Sequence, residues 1–263
     1  MTILVATGLR KEAAILGGPG VTVVAGGGDG ARLERELEAA APSARVILSC
    51  GLAGALDPVL RAGDLVISSL SAREREGAHA EGMGRVRVTP DVALDNHPHP
   101  SAASRLPPSP AGRGNAALID TLVAHLVGAH VGAILGSDTI VASVAEKQAL
   151  YAETNALAVD MESHIAARVA ARHGLPFAIV RAISDTADHT LPPAALLGMR
   201  PDGSMALGAV LASLARNPRQ LPGLIRTGSD AGRAFAALRR VGDVLGRLGI
   251  SLADDLQLPL DMR

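Results

Sequence analysis

Apolar runs at residues 3–6, 21–25, 45–50 and 65–69 predict strands buried on both faces. Between them, apolar positions recurring at helical period predict helices over 9–16 and over 29–40, the latter with Leu33 and Leu37 on one face. Further along, the pattern predicts a helix over 116–127, a strand over 131–135 and a helix over 143–154. The clearest alternation lies at 156–188. An apolar run at 156–159 ends at Asp160, and Ile165, Ala166, Val169 and Ala170 then form a helical stripe, with Arg168 and Arg172 on other faces. Gly174 stands where a C-terminal cap glycine belongs, Pro176 prevents continuation, and 177–183 is a second buried strand. Strand, helix, strand reads as a βαβ unit. Glu162 falls in the first helical turn and Asp185 just past the second strand. Ligands of open α/β sheets bind beyond the carboxyl ends of the strands, so two acids there mark a candidate site. Residues 204–215 also read as helix. Residues 216–248 form a helical extension with Phe235, Leu238, Val241, Leu245 and Leu248 as its stripe. The alternation as a whole predicts a mixed or mostly parallel sheet with helices on its faces.

Two kinds of interruption add detail. The turn at 26–30 is glycine-rich, and Gly51-Leu52-Ala53-Gly54-Ala55 has side chains small enough for a backbone to approach a ligand or a neighbour closely. From 71 to 114 the periodic signal fades. Residues 85–88 read as an edge strand and 96–114 as a long loop. His97 and His99 in that loop read as polar surface rather than as a metal pair, since no cysteine or further histidine stands beside them. No metal is expected.

Composition narrows the class. The chain has 263 residues, a net charge of −1 and 48% hydrophobic residues, which fits a globular protein and argues against nucleic acid as partner. Tyr151, Phe177 and Phe235 are the whole aromatic supply, so any base-binding pocket has aliphatic walls. Cys50 stands alone, which excludes an intrachain disulfide and fits a reducing compartment. The first apolar run is too short for a signal peptide, and no stretch is long enough to span a bilayer, so a cytoplasmic location is expected.

At VDMES (159–163) and RAISDTAD (181–188) the chain resembles the purine/uridine phosphorylase and nucleosidase superfamily. TGLRKE, GLAGAL with RAGDLVIS, and GSDTIVAS are colinear with it. With LPPAAL and RPDGS downstream, the chain is most similar to the hopanoid-associated phosphorylase branch. The resemblance implies a three-layer α/β/α sandwich of the nucleoside phosphorylase type, with residues 1–215 catalytic and 216–263 a helical extension. It implies an enzyme that breaks the N-glycosidic bond of an adenine nucleoside and releases adenine. Adenosylhopane is the implied substrate, and methylthioadenosine or adenosylhomocysteine hydrolysis the alternative. A non-catalytic nucleoside-binding relative is the reading from another class, and retention of both acids and Glu12 argues against it.

Breaking this bond develops positive charge on the sugar and negative charge on the departing base. Asp185, matching the family's purine-protonating aspartate, is the general acid if desolvation raises its pKa. Glu162 matches the glutamate that accepts the ribose diol, and Met161 the methionine packed on the sugar. Asp188 reads as a turn residue rather than a second acid. Glu12 matches the glutamate that activates water in hydrolytic members. Ala53, Gly54, Ile140 and Val141 are expected to line the substrate pocket. If phosphate is the co-substrate instead of water, Gly8, Arg10 and Gly51 would grip it, with Thr7 and the 51–54 backbone. Ser49-Cys50 stands where many phosphorylases carry an arginine, and Thr139, Ile140 and Val141 where hydrolytic relatives often carry a stacking phenylalanine. No other cofactor is expected. Relatives assemble as dimers to hexamers, so a homo-oligomer is expected. The extension is basic, with Arg216, Arg219, Arg226, Arg233, Arg239, Arg240 and Arg247 against Asp230 and Asp243. It reads first as a solvated helix packing its stripe on the domain, and second as a peripheral contact with the inner membrane face.

Overall fold

The computed structural model describes residues 2–69, 110–196 and 207–254. Its strands are β1 (Thr2–Thr7), β2 (Val21–Ala25), β3 (Ala44–Ala55), β4 (Leu65–Ser68), β5 (His130–Val131), β6 (Ile134–Gly136), β7 (Ala158–Asp160) and β8 (Phe177–Asp185). Its helices are α1 (Arg10–Leu16), α2 (Gly30–Ala40), α3 (Pro110–His125), α4 (Val144–Thr154), α5 (Ser163–His173), α6 (Pro193–Leu196), α7 (Leu207–Arg216) and α8 (Leu221–Asp254). The strands form one mixed sheet in the order β2-β1-β3-β8-β4-β5. β2, β1, β3 and β8 run parallel to one another, and β4 is antiparallel to β8.

Alternation along the buried strands divides the core between two faces. Leu4, Ala6, Ile47, Ile179 and Ile183 pack with α2 and α5. Ile3, Val5, Leu48, Cys50 and Val180 pack with α1, α3 and α8 on the other side. The result is the expected three-layer α/β/α sandwich. Helix α5 ends at Gly174, whose φ of 62° is the left-handed cap predicted for it.

The structure corrects several sequence expectations. The strand predicted over 131–135 is two strands broken at Gly132 and Ala133: β5 pairs with β4, and β6 with β7. The βαβ unit is not one, because β7 and β8 do not run as parallel members of one ladder. Both pair with β3, β8 parallel along its length and β7 antiparallel at Gly54 and Ala55 alone. A twelve-residue β3 extends past the sheet proper, and that length lets both strands share it. Helix α3 begins at Pro110, inside the expected 96–114 loop. The proposed edge strand at 85–88 and His97 and His99 lie outside the described residues.

The tail stripe faces inward: Phe235, Leu238, Val241 and Leu245 are buried and Leu248 packs beside them. Lys11 Nζ sits 3.9 Å above the Phe235 ring, joining α1 to α8. That stripe is therefore packed on the sheet. Among the described residues, no helix is long and apolar enough to cross a membrane, and no cluster of acids, histidines and cysteine could hold a metal ion.

Candidate active site

Because β1, β3 and β8 are parallel, their carboxyl ends share one rim, and β7 delivers the chain to the same rim from beyond β3. A cavity of about 250 Å³ opens there. Of the predicted residues, Gly8, Glu12, Ala53, Gly54, Ile140, Val141, Met161, Glu162 and Asp185 all line it. Arg10 does not: its side chain is exposed and away from the lining. Gly51 lies beneath the cavity wall, where a methyl group would stand 2.7 Å from Arg181 Nη1 and 3.0 Å from Glu12 Oε1. Only a glycine allows a strand to pass between those charges.

Glu12 is buried and held by four donors. Its Oε2 accepts from Thr7 Oγ1 at 2.6 Å, Gly8 N at 3.0 Å and Leu9 N at 2.7 Å. Oε1 accepts from Leu52 N at 2.8 Å. The carboxylate thus caps its own helix from the third position and stitches β1 to β3. Two of the backbone amides expected to cradle phosphate, those of Gly8 and Leu52, are occupied by this anion. With Oε2 saturated, Oε1 retains the remaining acceptor capacity toward the cavity.

Beneath Glu162 lies a charge that the motif reading missed. Arg181 is wholly buried in the middle of β8, on the same strand face as Ile179 and Ile183. It ion-pairs with Asp160, places Nη1 3.4 Å from Glu162 Oε2, and donates from Nη2 to Ser49 Oγ at 2.6 Å. Among the described residues, Nε and Nη1 have no hydrogen-bond partner. Asp160 has a second duty, accepting from Ser163 N at 3.1 Å and from Ser163 Oγ at 2.5 Å at the start of α5. Arg181 stands directly beside Gly51, its register partner on β3. Burial raises the Glu162 carboxyl to about 7; Arg181 opposes the rise, while Asp160 and Glu12 add to it. Gly8 makes room for Glu162, since a methyl there would sit 2.6 Å from Oε1.

Across the cavity, Asp185 rests over Gly54, where an added methyl would stand 3.0 Å from Oδ2. Burial holds its carboxyl above the ordinary range, against the pull of Lys147, Ser184 and His189. Lys147, also missed, is fully buried on α4 and donates to Asp185 Oδ2 at 2.5 Å. Its remaining protons go to Thr186 O and His189 O, both at 2.9 Å. The sequence carried a signal for it: Lys147 shares the buried face of α4 with Leu150 and Thr154 at helical spacing.

Thr139, Ile140, Val141 and Leu191 form aliphatic walls, and Thr227 and Ala231 of α8 close the far side, so the tail contributes to the cavity. Asp138 turns from it to His164, with Oδ1 3.0 Å from Nε2. Asp188 is exposed and pairs with Arg226 at 3.3 Å, as a turn residue would.

Comparison with known proteins places this arrangement in a family. Residues 14–216 match the model of the Phosphorylase superfamily. The 5′-methylthioadenosine/S-adenosylhomocysteine nucleosidase of Staphylococcus aureus (strain JH9) is 30% identical over 146 residues, 54% of this chain and 58% of that protein. The chain thus spans little more than half the length of the curated relatives it matches. Among solved structures, the corresponding Helicobacter pylori nucleosidase complexed with a substituted pyrrolidin-3-ol aligns with a TM-score of 0.54 at 19% identity, covering 94% of this chain and 98% of that one. The Streptococcus pneumoniae MTA/SAH nucleosidase in complex with 8-aminoadenine aligns at 0.51 and 18%, covering 91% and 99%. At such identities these structures establish the fold alone. Sheet order, cavity position and the match over 14–216 agree: the chain belongs to the Phosphorylase superfamily.

Proposed function

We propose that the protein hydrolyses the N-glycosidic bond of an adenine nucleoside, with methylthioadenosine and adenosylhomocysteine as the substrate class. The observation that carries this reading is the meeting of Asp185, Glu162 and Glu12 around one cavity of about 250 Å³. Asp185, whose carboxyl burial pushes toward the protonated form, protonates the imidazole-ring nitrogen as the base departs. Glu162 accepts the ribose diol and, as an anion, stabilises positive charge developing on the sugar. Water on the Glu12 side attacks C1′ and gives its proton to Oε1. Water is favoured over phosphate because Glu12 already occupies the amides of Gly8 and Leu9. A phosphate dianion there would have to displace a carboxylate or sit against it, and like charges in a buried site repel strongly. The names of the curated relatives agree with this substrate class.

The test is adenine release from methylthioadenosine, followed by chromatography in phosphate-free buffer and again with phosphate added. Full turnover without phosphate is expected. Strict dependence on phosphate, with ribose 1-phosphate chemistry in the product, would overturn the hydrolytic assignment. A second substrate reading, adenosylhopane, is favoured by the aliphatic rim: Ile140 and Leu196 line the cavity yet remain 39% and 37% exposed. Such a rim suits an apolar group on the 5′ carbon. In the same assay, a kcat/KM for adenosylhopane above that for methylthioadenosine selects it, and no release from adenosylhopane dismisses it.

A further inference from the structure

We infer that Lys147 is a positioning residue for the general acid: its ammonium fixes Asp185 Oδ2, so that Oδ1 is the oxygen that exchanges the proton with the departing base. The inference rests on the reading of Asp185 as acid and deepens it. Oδ2 is engaged at 2.5 Å by an ammonium with no solvent exposure. Among the described residues, Oδ1 has only a long contact with Ser184 Oγ at 3.3 Å. The other two ammonium protons are directed to Thr186 O and His189 O. All donors of Lys147 are satisfied at once, and the segment after Asp185 is bound to α4 by the same group.

A buried ammonium is a costly way to hold a loop, because the charge loses its hydration. Its position beside the cavity supplies the compensating role. When the C1′–N9 bond breaks, its electron pair goes to the purine and the Oδ1 proton moves to the ring nitrogen. The carboxylate left behind is formed 2.5 Å from a fixed ammonium, so the pair attracts more strongly in the transition state than in the ground state. The sugar cation takes water, whose proton passes to Glu12, and both acids return to their starting protonation through solvent after release. Burial raises the Asp185 carboxyl and Lys147 opposes that rise, so the lysine makes it a readier proton donor than burial alone would. The other charged groups around Asp185 are His189 on the following turn, Glu12 and Glu162 lining the same cavity, and Arg226 of α8, which donates to Thr186 Oγ1 at 3.3 Å. None of these engages Oδ2 as Lys147 does.

The experiment uses full-length protein with 13C-labelled aspartate, the Asp185 carboxyl resonance being assigned by its loss in Asp185→Asn. In Lys147→Gln the titration midpoint of Asp185 should rise by about one pH unit or more, and in Lys147→Arg it should stay near wild type. With methylthioadenosine, Lys147→Gln should lower kcat about tenfold or more with little change in KM, and carry the alkaline limb of the rate profile upward. A packing role would lower both variants alike and leave the midpoint in place. Should Lys147→Gln not fold by circular dichroism, Lys147→Met, with an unbranched chain of similar reach, carries the same titration. An unchanged midpoint in the folded neutral variant overturns the inference. A raised midpoint in a protein that releases no adenine upholds the hold on Asp185 and overturns the hydrolase reading instead.

Discussion

Glu162 should make nucleoside binding depend on pH in a way that adenine binding does not. Its carboxyl sits at about 7 because burial outweighs the attraction of Arg181. Only the ionised form can accept both ribose hydroxyls, so binding selects the carboxylate. With a midpoint at about 7, roughly a tenth of the protein is competent at pH 6 and roughly nine-tenths at pH 8. Carbocyclic adenosine, which has no glycosidic bond to break, should therefore bind about tenfold more tightly at pH 8 than at pH 6. Titration calorimetry in buffers of different ionisation enthalpy should show proton release on binding near pH 7. Adenine lacks the diol and should show no such release. Glu162→Gln should bind the analogue about ten- to a hundredfold more weakly at pH 8, from loss of charge-assisted hydrogen bonds, with the pH dependence gone. The same group leaves a mark on stability. Its folded-state value lies above the usual 4.5, so between 4.5 and about 7 the folded protein holds more protons than the unfolded chain. Stability from this group is thus full at low pH and is lost as pH rises through that window, by about 3 kcal/mol in total. Glu162→Gln should flatten this decline. A wild-type affinity independent of pH from 6 to 8, or the same slope in Glu162→Gln, would refute the reasoning.

What could be read from the chain, and what could not, follows from the range of the interactions concerned. The capped helix α5, the buried strands and the placement of Glu12, Glu162 and Asp185 at strand ends depend on neighbours within a few residues, and sequence spacing reports those well. The partner of β7 depends on β3 being long enough to be shared, and a segment's own alternation says nothing about its neighbour. Lys147 and Arg181 are of the same kind. A lysine in an ordinary helix and an arginine in an apolar strand look like local exceptions until the opposing carboxylates are in view. Both occupy positions that the period assigns to the core: Lys147 in step with Leu150, Arg181 in step with Ile179 and Ile183. A charge in step with a buried stripe implies a counter-charge elsewhere, since an unpaired buried ion is too costly to keep. That inference needed no structure; the identity of the counter-charge did. Arg10 shows the limit from the other side: the TGLRKE motif names it, but Glu12 bends back to take the amides of Gly8 and Leu9, and Arg10 is exposed.

Two further outcomes test the network beneath the cavity. Arg181→Met removes the cation shared by Asp160 and Glu162, and chemical denaturation at pH 8 should show a loss of about 3–5 kcal/mol, smaller at pH 5 where Glu162 is protonated. Gly54→Ala is the sharper test, because it alters no charge. The added methyl would stand 3.0 Å from Asp185 Oδ2 and 3.2 Å from Oδ1, while the backbone of Gly54 is in register with Asp185 across β3 and β8. The carboxyl must give by a few tenths of an ångström, which shifts it relative to Lys147. Displacement of a catalytic group by a fraction of an ångström costs rate far more than binding, so kcat should fall by about a hundredfold with KM changed much less. Tm should drop by only a few degrees. A variant with wild-type kcat would mean that the position of Asp185 over Gly54 does not matter to the chemistry, and the assignment of that carboxyl as the acid would go with it.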